Sequence, residues 1–120
     1  MALLEHRDHE DRPWGSFTRF THDELSTVKL IYVAPGKRLS LQYHEKRGEF
    51  WRILTGSATV RIGDQEFAAQ EGDEFEIPPQ ALHRITGGES GVSFLEISLG
   101  AFDENDIVRV EDDFGRTGST

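Results

Sequence analysis

Four side chains of metal-ligand type occur at short spacings along the chain. Gln42, His44 and Glu49 lie within eight residues, and His83 follows further along. Side chains of a strand alternate between faces, so a strand here would point Gln42 and His44 to the same side. A turn at 46–48 could bring Glu49 back to that side. Because imidazole, carboxylate and amide oxygen suit Zn, Mn, Fe, Co or Ni, we expect a divalent cation among them.

A metal-free interpretation of these residues stays open at this point. His44 could be a surface residue of a strand, with Gln42 as its exposed neighbour. Glu49 could pair with Arg47 or Lys46. A buried carboxylate without a partner costs several kcal/mol, and a divalent cation would remove that cost.

Short apolar runs separated by turn residues must position these side chains. No window of eleven or more residues keeps a helical period between the turn residues, although a short helix at 103–106 with Asp103 as its cap is possible. The pattern predicts an all-β chain that forms a small sandwich or barrel. The expected strands are 28–33, 50–54 ending at Thr55-Gly56, 59–62 and 66–69 joined at Gly63-Asp64, 75–77, 83–86 ending at Gly87-Gly88, and 92–99.

The length of 120 residues is that of one domain. We expect an N-terminal arm over residues 1–11, the folded domain over 12–116 and a frayed tail over 117–120. The arm and the tail are polar, and both ends of a chain tend to be poorly ordered unless something holds them.

Charge and composition exclude several classes of function. The formal net charge of −9 disfavours binding to nucleic acid or to an anionic membrane surface. The absence of cysteine excludes disulfides and thiolate metal sites. No segment is apolar enough for a transmembrane helix, and the N-terminus has no pattern of a signal peptide. We therefore expect a cytoplasmic protein.

The ligand candidates also match two spaced motifs of the cupins. The first cupin motif, G(x)5HxH(x)3–4E(x)6G, corresponds to Gly36, Gln42, His44, Glu49 and Gly56, with Gln42 in place of the first His. The second motif, G(x)5PxG(x)2H(x)3N, corresponds to Gly72, Pro78 and His83, with Gln80 and Gly87 in place of its Gly and Asn. The resemblance implies a cupin fold, a single-domain double-stranded β-helix or jelly-roll barrel.

Within the cupins, the chain resembles the type II phosphomannose isomerases from about residue 12 to residue 116. Residues 12–17 are similar to that family's RPWGSY, and residues 39–42 to its LSLQ. Residues 104–109 and 111–116 are similar to its EDDIVR and EDxYGR. The chain departs from the family at Phe50, where the family has His, and at Glu45 and Lys46, where the family has a run of His. We expect the change at Phe50 to remove an imidazole beside the metal.

The resemblance implies a metal-dependent isomerase that converts mannose 6-phosphate to fructose 6-phosphate through an enediol. Gln42, His44, Glu49 and His83 would hold the metal, with zinc expected before Mn, Co, Ni or Fe. Arg47 and Arg109 would be the catalytic residues. The phosphate would be bound by Arg47, Arg116 and Arg38, since Arg can grip phosphate bidentately. A homodimer is the expected assembly.

Several assignments stay open within this interpretation. The general base could be Glu45, Lys46 or Asp106. We expect Trp51 in the core, whereas Trp14 could line a sugar cavity or the core.

Two other functions are weighed against the isomerase. A non-catalytic sugar-binding cupin is favoured by the changed residue at Phe50 and by the small size of the chain. An Fe- or Ni-dependent cupin oxygenase is disfavoured because such sites usually carry more imidazole than Gln42 leaves here.

Overall fold

The structure is a computed structural model that describes residues 3–119, which form ten strands and no α-helix. The prediction of an all-β chain is confirmed. The strands are β1 Asp8–Arg12, β2 Gly15–Arg19, β3 Ser26–Val33, β4 Leu41–Tyr43, β5 Glu49–Ile62, β6 Gln65–Gln70, β7 Glu74–Ile77, β8 His83–Leu99, β9 Val108–Glu111 and β10 Gly118–Ser119.

Two long antiparallel strands, β5 and β8, run through both walls of a jelly-roll barrel. In one wall, β3 pairs with residues 92–99 of β8, and β7 pairs with residues 49–52 of β5. In the other wall, β4 pairs with the start of β8, and β6 pairs with residues 57–62 of β5. β9 and β10 extend this second wall beyond β4. The predicted hairpin at Gly63-Asp64 joins β5 to β6.

The expected strand ends at Thr55-Gly56 and at Gly87-Gly88 are wrong, because both strands continue through these residues. The pairing of β5 with β8 shifts register on both sides of Thr55-Gly56, as at a β-bulge. Gly56 has a φ of +83°, and a Cβ at this position would lie 2.1 Å from the carbonyl oxygen of Gly91. Glycine thus lets the two strands approach closely where they pass from one wall to the other.

The possible helix at 103–106 is also absent. Asp103 accepts a hydrogen bond from the Asn105 N–H at its side chain (2.9 Å) and one from the Asp106 N–H at its carbonyl oxygen (3.1 Å). These bonds close a single turn, which an Asp side chain can stabilise without a helix to follow.

Two apolar clusters lie on the two sides of the first wall. The barrel interior is filled by buried residues from β3 to β8, and Trp51 is in this cluster, as predicted. Its members are Val33, Trp51, Ile53, Ala58, Val60, Ala69, Ile77, Ile85, Val92 and Phe94. The second cluster covers the outer side, where Leu4 and Phe20 pack against Phe50, Ile97 and their neighbours. The N-terminal segment therefore covers the outside of this wall.

Residues 8–12 form strand β1 of a two-stranded hairpin with β2. The domain boundary at residue 12 stays a prediction. Among the described residues, no helix is long and apolar enough to span a membrane.

Candidate metal centre and cavity

The four candidate ligands lie at the ends of strands that meet at one end of the barrel. Gln42 is in β4, and His44 follows that strand directly. Glu49 is the first residue of β5, and His83 is the first residue of β8. Gln42 pairs with His83 across the sheet, which places their side chains on the same face. The predicted change of direction between His44 and Glu49 is a bend at residues 45–46.

Three of these side chains converge on one buried point. The Oε1 atom of Glu49 lies 3.1 Å from Nε2 of His44 and 3.2 Å from Nε2 of His83. All three side chains are 2% exposed. A cation with ligand atoms at about 2.1 Å in tetrahedral geometry would hold those atoms roughly 3.4 Å apart, close to the distances seen. The metal-free interpretation is therefore wrong for both residues, because His44 is buried and Glu49 contacts two imidazoles rather than Arg47 or Lys46.

The outer nitrogen of each imidazole fixes its tautomer. Nδ1 of His44 lies 2.7 Å from the carbonyl oxygen of Asp106, and Nδ1 of His83 lies 2.9 Å from that of Ala81. A carbonyl oxygen only accepts, so each Nδ1–H donates, and Nε2 of each ring faces Glu49, where it can carry a second proton or bind a metal. Hydrogen bonding of Nδ1 to a backbone carbonyl is typical of metal-binding histidines.

A cation fits this arrangement of acceptors. Burial alone would raise the pKa of Glu49, but its contacts with His44 and His83 hold that pKa below its ordinary value, so the side chain is an anionic carboxylate. Nε2 of His83 is buried and has no hydrogen-bond partner among the described residues. A proton on one imidazole would satisfy only one contact, whereas a divalent cation would satisfy all three ligand atoms together. The residues present thus fit a metal bound through nitrogen and oxygen.

Gln42 lies beside this cluster and can complete it. Its Nε2 atom is 3.4 Å from Nε2 of His44, and its Oε1 accepts a hydrogen bond from Oγ of the buried Ser40 at 2.5 Å. A half-turn of the amide exchanges these two atoms and presents oxygen to the cluster, while Ser40 then accepts from the amide nitrogen. Ser40 can therefore hold the amide of the fourth candidate ligand in either of these two orientations.

A second buried carboxyl group, Glu96, was missed by the sequence analysis. It accepts a hydrogen bond from Nε1 of Trp51 at 3.1 Å. Burial, followed by the negative charge of Glu49, raises the pKa of Glu96 to about 8. The available signal was strand alternation: Leu95 and Ile97 face the outer cluster, so the residue between them must face the barrel interior with Phe94.

A cavity of about 180 Å³ opens beside the cluster and contains charges of both signs. Its basic residues are Lys29, Arg47, Arg109 and Arg116, and its acidic residues are Glu49, Glu96 and Glu104. The remaining lining residues are Ile31, Leu39, Ser40, Gln42 and Ile107. The sequence analysis also missed Lys29, although it alternates with Val28 and Leu30, which the structure leaves exposed. In this strand Val28, Leu30 and Tyr32 face outwards, whereas Lys29 faces inwards on the same side as Ile31 and Val33.

The four arginines proposed from the sequence have different surroundings. Arg38 is not in the cavity lining, and its guanidinium makes two hydrogen bonds of 2.8 Å with Asp113. Arg116 lines the cavity but donates to its own carboxylate partner, Asp112, at 2.8 Å.

Arg47 and Arg109 reach the cavity without a carboxylate partner among the described residues. Arg47 donates to the carbonyl oxygens of Asp103 (2.9 Å) and Asp106 (3.4 Å), and its guanidinium lies 4.3 Å from the ring centre of Phe102. The Nε atoms of Arg47 and Arg109 are buried without a hydrogen-bond partner in the described chain. An unsatisfied buried donor costs about 1–3 kcal/mol, so a ligand that accepts these hydrogens would be stabilised.

Comparison with known proteins identifies the family. The family described as "Mannose-6-phosphate isomerase C-terminal" matches residues 2–112. The chain belongs to this family. The alginate biosynthesis protein AlgA of Pseudomonas aeruginosa is 39% identical over 108 residues, which cover 88% of this chain and 22% of AlgA. The mannose-1-phosphate guanylyltransferase ManC of Salmonella typhimurium is 35% identical over 116 residues, covering 93% of this chain and 24% of ManC.

A solved structure shows the same fold. The capsular polysaccharide assembling protein CapF of Staphylococcus aureus superposes with a TM-score of 0.66 at 20% identity, covering 88% of this chain and 32% of that one. The likeness to CapF establishes the cupin fold alone. This member of the mannose-6-phosphate isomerase C-terminal family spans about a quarter of the length of the curated relatives it matches.

Phe50, at which the chain departs from the family pattern, does not contact the candidate metal ligands. Phe50 is 1% exposed and packs in the outer cluster with Leu4, Phe20 and Ile97, on the opposite side of β5 from Glu49. The expectation that a histidine at this position would lie beside the metal is therefore wrong, because neighbouring residues of a strand face opposite ways.

The three candidate bases lie outside the cavity lining. Glu45 and Lys46 are exposed. The carboxylate of Asp106 accepts hydrogen bonds from their backbone N–H groups at 2.9 and 3.1 Å. Burial alone would raise the pKa of Asp106, but these two hydrogen bonds hold that pKa below its ordinary value. Trp14, for which two placements were open, is 74% exposed and lies in neither the core nor the cavity lining.

Proposed function

We propose that this chain is a metal-dependent sugar-phosphate isomerase that interconverts mannose 6-phosphate and fructose 6-phosphate. The observation that carries the proposal is the convergence of His44, Glu49 and His83 beside a cavity that also holds arginines. Metal-binding residues alone would suit many substrates, and positively charged side chains alone would suit any anion. Together they suit a substrate with a phosphate group and with oxygens that gain negative charge.

The protein's own groups would hold the metal from three strands. His44 and His83 would bind through Nε2, Glu49 through its carboxylate and Gln42 through its amide oxygen. We propose zinc before manganese, cobalt, nickel or iron, since the ligand set is borderline in softness. When bound, such an ion supplies positive charge to oxygens that become negative as an enediol forms.

Arg47 and Arg109 would orient the substrate within the cavity. The hydrogen bonds from Arg47 to two backbone carbonyls fix its guanidinium beside Phe102. A guanidinium held in this way can bind substrate oxygens without losing further side-chain freedom. Isomerisation moves one proton between C1 and C2, and these cations would stabilise the negative charge on the neighbouring oxygen.

A coupled assay of mannose 6-phosphate conversion tests the proposal. The protein is stripped and reloaded separately with Zn, Mn, Co, Ni or Fe. We expect metal-dependent turnover that His44→Ala abolishes and that His22→Ala, a change at an exposed histidine, retains. Absence of turnover in fully loaded protein with every metal would refute the isomerase.

Two alternatives predict other results in the same experiment. A sugar-binding cupin would bind mannose 6-phosphate in calorimetry without converting it. A cupin oxygenase would retain iron or nickel in preference to zinc and consume oxygen with an added substrate. Two neutral imidazoles, one carboxylate and one amide give no particular preference for iron or nickel, which is why we place the oxygenase last.

A further inference from the structure

We propose that Lys29 and Arg109 bind the phosphate of the substrate, an assignment that rests on the proposed function. The sequence analysis gave this role to Arg47, Arg116 and Arg38. Lys29 was not considered, and Arg109 was placed in catalysis. The structure favours a different pair. Arg116 already has a carboxylate partner and Arg47 already donates to two backbone carbonyls, whereas Lys29 and Arg109 have no partner of either kind among the described residues.

Arg116 and Arg38 have carboxylate partners of their own. Arg116 pairs with Asp112, and Arg38 pairs with Asp113 outside the cavity. An incoming phosphate would have to replace these partners, and a cation already neutralised by a carboxylate attracts an anion weakly. These two residues are therefore poor anchors for a phosphate.

Lys29 and Arg109 line the cavity and take part in no ion pair within residues 3–119. The ammonium group of Lys29 lies 4.5 Å from the ring centre of Phe102, a contact that positions the charge without neutralising it. The Nε–H of Arg109 is buried and lacks an acceptor among the described residues. Both groups thus have donors available for an anionic ligand.

Strand register places these two cations on the two walls of the barrel, beside the metal ligands. Arg109 in β9 pairs with Gln42 in β4, which in turn pairs with His83 in β8. Lys29 in β3 pairs with Glu96, which is on the same strand as His83 but in the other wall. Paired residues of neighbouring strands share a face, so each cation points into the interior. A ligand in the cavity therefore meets one free cation from each wall.

The chemistry of the pair suits a phosphate monoester better than a neutral sugar. An ammonium group offers a compact charge and three donors, and a guanidinium offers a planar fork that matches two phosphate oxygens. Hydroxyl groups of an unphosphorylated sugar would leave two buried or half-buried positive charges unmatched. The inferred ligand group is a phosphate dianion attached to the sugar.

Calorimetry of the zinc-loaded protein tests this assignment separately from turnover. Mannose 6-phosphate, mannose and inorganic phosphate are titrated into the wild type, Lys29→Met and Arg109→Met. Matched controls are Lys37→Met and Arg12→Met, which remove exposed cations outside the cavity lining. Zinc content and circular dichroism of every variant are measured first, so that a lost metal or fold is recognised.

We expect each cavity variant to bind mannose 6-phosphate about tenfold more weakly or worse, with mannose binding unchanged and the controls like the wild type. Unchanged affinity for mannose 6-phosphate in both cavity variants would overturn the assignment. So would an equal loss for mannose, or a wild type that binds neither phosphate compound. Phosphate-dependent binding without turnover would leave the assignment standing and refute the isomerase.

Discussion

Nε2 of His83 lies 3.2 Å from Oε1 of Glu49, and these two residues open the two longest strands of the barrel. With Nδ1 of His83 donating to the carbonyl of Ala81, no hydrogen of the neutral imidazole lies between the two atoms. The contact therefore requires a positive charge between the two atoms. Because Glu49 and His83 are the first residues of β5 and β8, the site forms only when both of these strands are in place.

Removal of either imidazole should abolish metal binding while the barrel stays folded. In His83→Ala and His44→Ala we expect zinc content near zero after dialysis and unchanged far-ultraviolet circular dichroism. The wild type at a hundredfold excess of metal over Kd should gain about 2.7 kcal/mol, or roughly 10 °C in Tm, and the variants should gain nothing. His22→Ala should behave as the wild type. Full zinc occupancy in both alanine variants would show that the ligand assignment is wrong.

Loss of the hydroxyl of Ser40 should weaken metal binding without removing it. Ser40 is 1% exposed and orients the amide of Gln42, so Ser40→Ala leaves that amide free to rotate. Outer partners of metal ligands are typically worth about 10- to 100-fold in affinity, and we expect a loss near tenfold. Competition with a chelator of known affinity measures it, with the exposed Ser16→Ala as the control. Equal affinities would mean that Gln42 is not a ligand or needs no orientation.

Gly56 should tolerate no side chain. Gly56→Ala combines a φ of +83° with a Cβ only 2.1 Å from the Gly91 carbonyl oxygen, so the two long strands would have to separate. We expect it to lower the free energy of unfolding by at least about 3 kcal/mol. Gly63→Ala has a φ of +60° but open space around its Cβ, and should cost only about 1 kcal/mol. Urea denaturation separates the two, and similar losses would show that close approach of the strands is unimportant.

Introducing the histidine that the family carries at position 50 should not improve the site. Phe50→His puts a polar ring into the outer apolar cluster, and we expect about 2–4 kcal/mol of lost stability with no gain in zinc affinity. The control Phe114→His changes a side chain that is 62% exposed and should cost less than about 0.5 kcal/mol. Tighter zinc binding in Phe50→His would mean that this position faces the metal after all.

The convergence of His44 and Glu49 was predictable from sequence because its signals are local, and His83 was added by its spacing in the second motif. Alternation places Gln42 and His44 on one face, a short polar bend returns the chain at Glu49, and Pro78-Pro79 stops the strand before His83. Each of these depends on covalent geometry within a few residues. The all-β class followed in the same way from turn residues between short apolar runs.

What the sequence analysis missed depends on contacts between distant segments. The sequence predicts a strand end at Gly56. In the structure the strand continues, and Gly56 allows β5 to pass close to β8 at Gly91. Arg38 and Arg109 look alike in sequence, yet Asp113 pairs with one and no described carboxylate pairs with the other. Which side of β5 faces the metal also depends on the N-terminal segment, since that segment covers Phe50.

Since β5 and β8 belong to both walls, we expect the two walls to unfold together. We expect denaturant unfolding in a single cooperative step, with intrinsic fluorescence and metal release following the same curve. Pairings such as Phe50 with Ile97 join segments far apart in sequence, and such topologies fold in milliseconds to seconds rather than microseconds. On the proposed function, a nascent chain would therefore have its complete set of candidate ligands only after β8 has been synthesised and aligned.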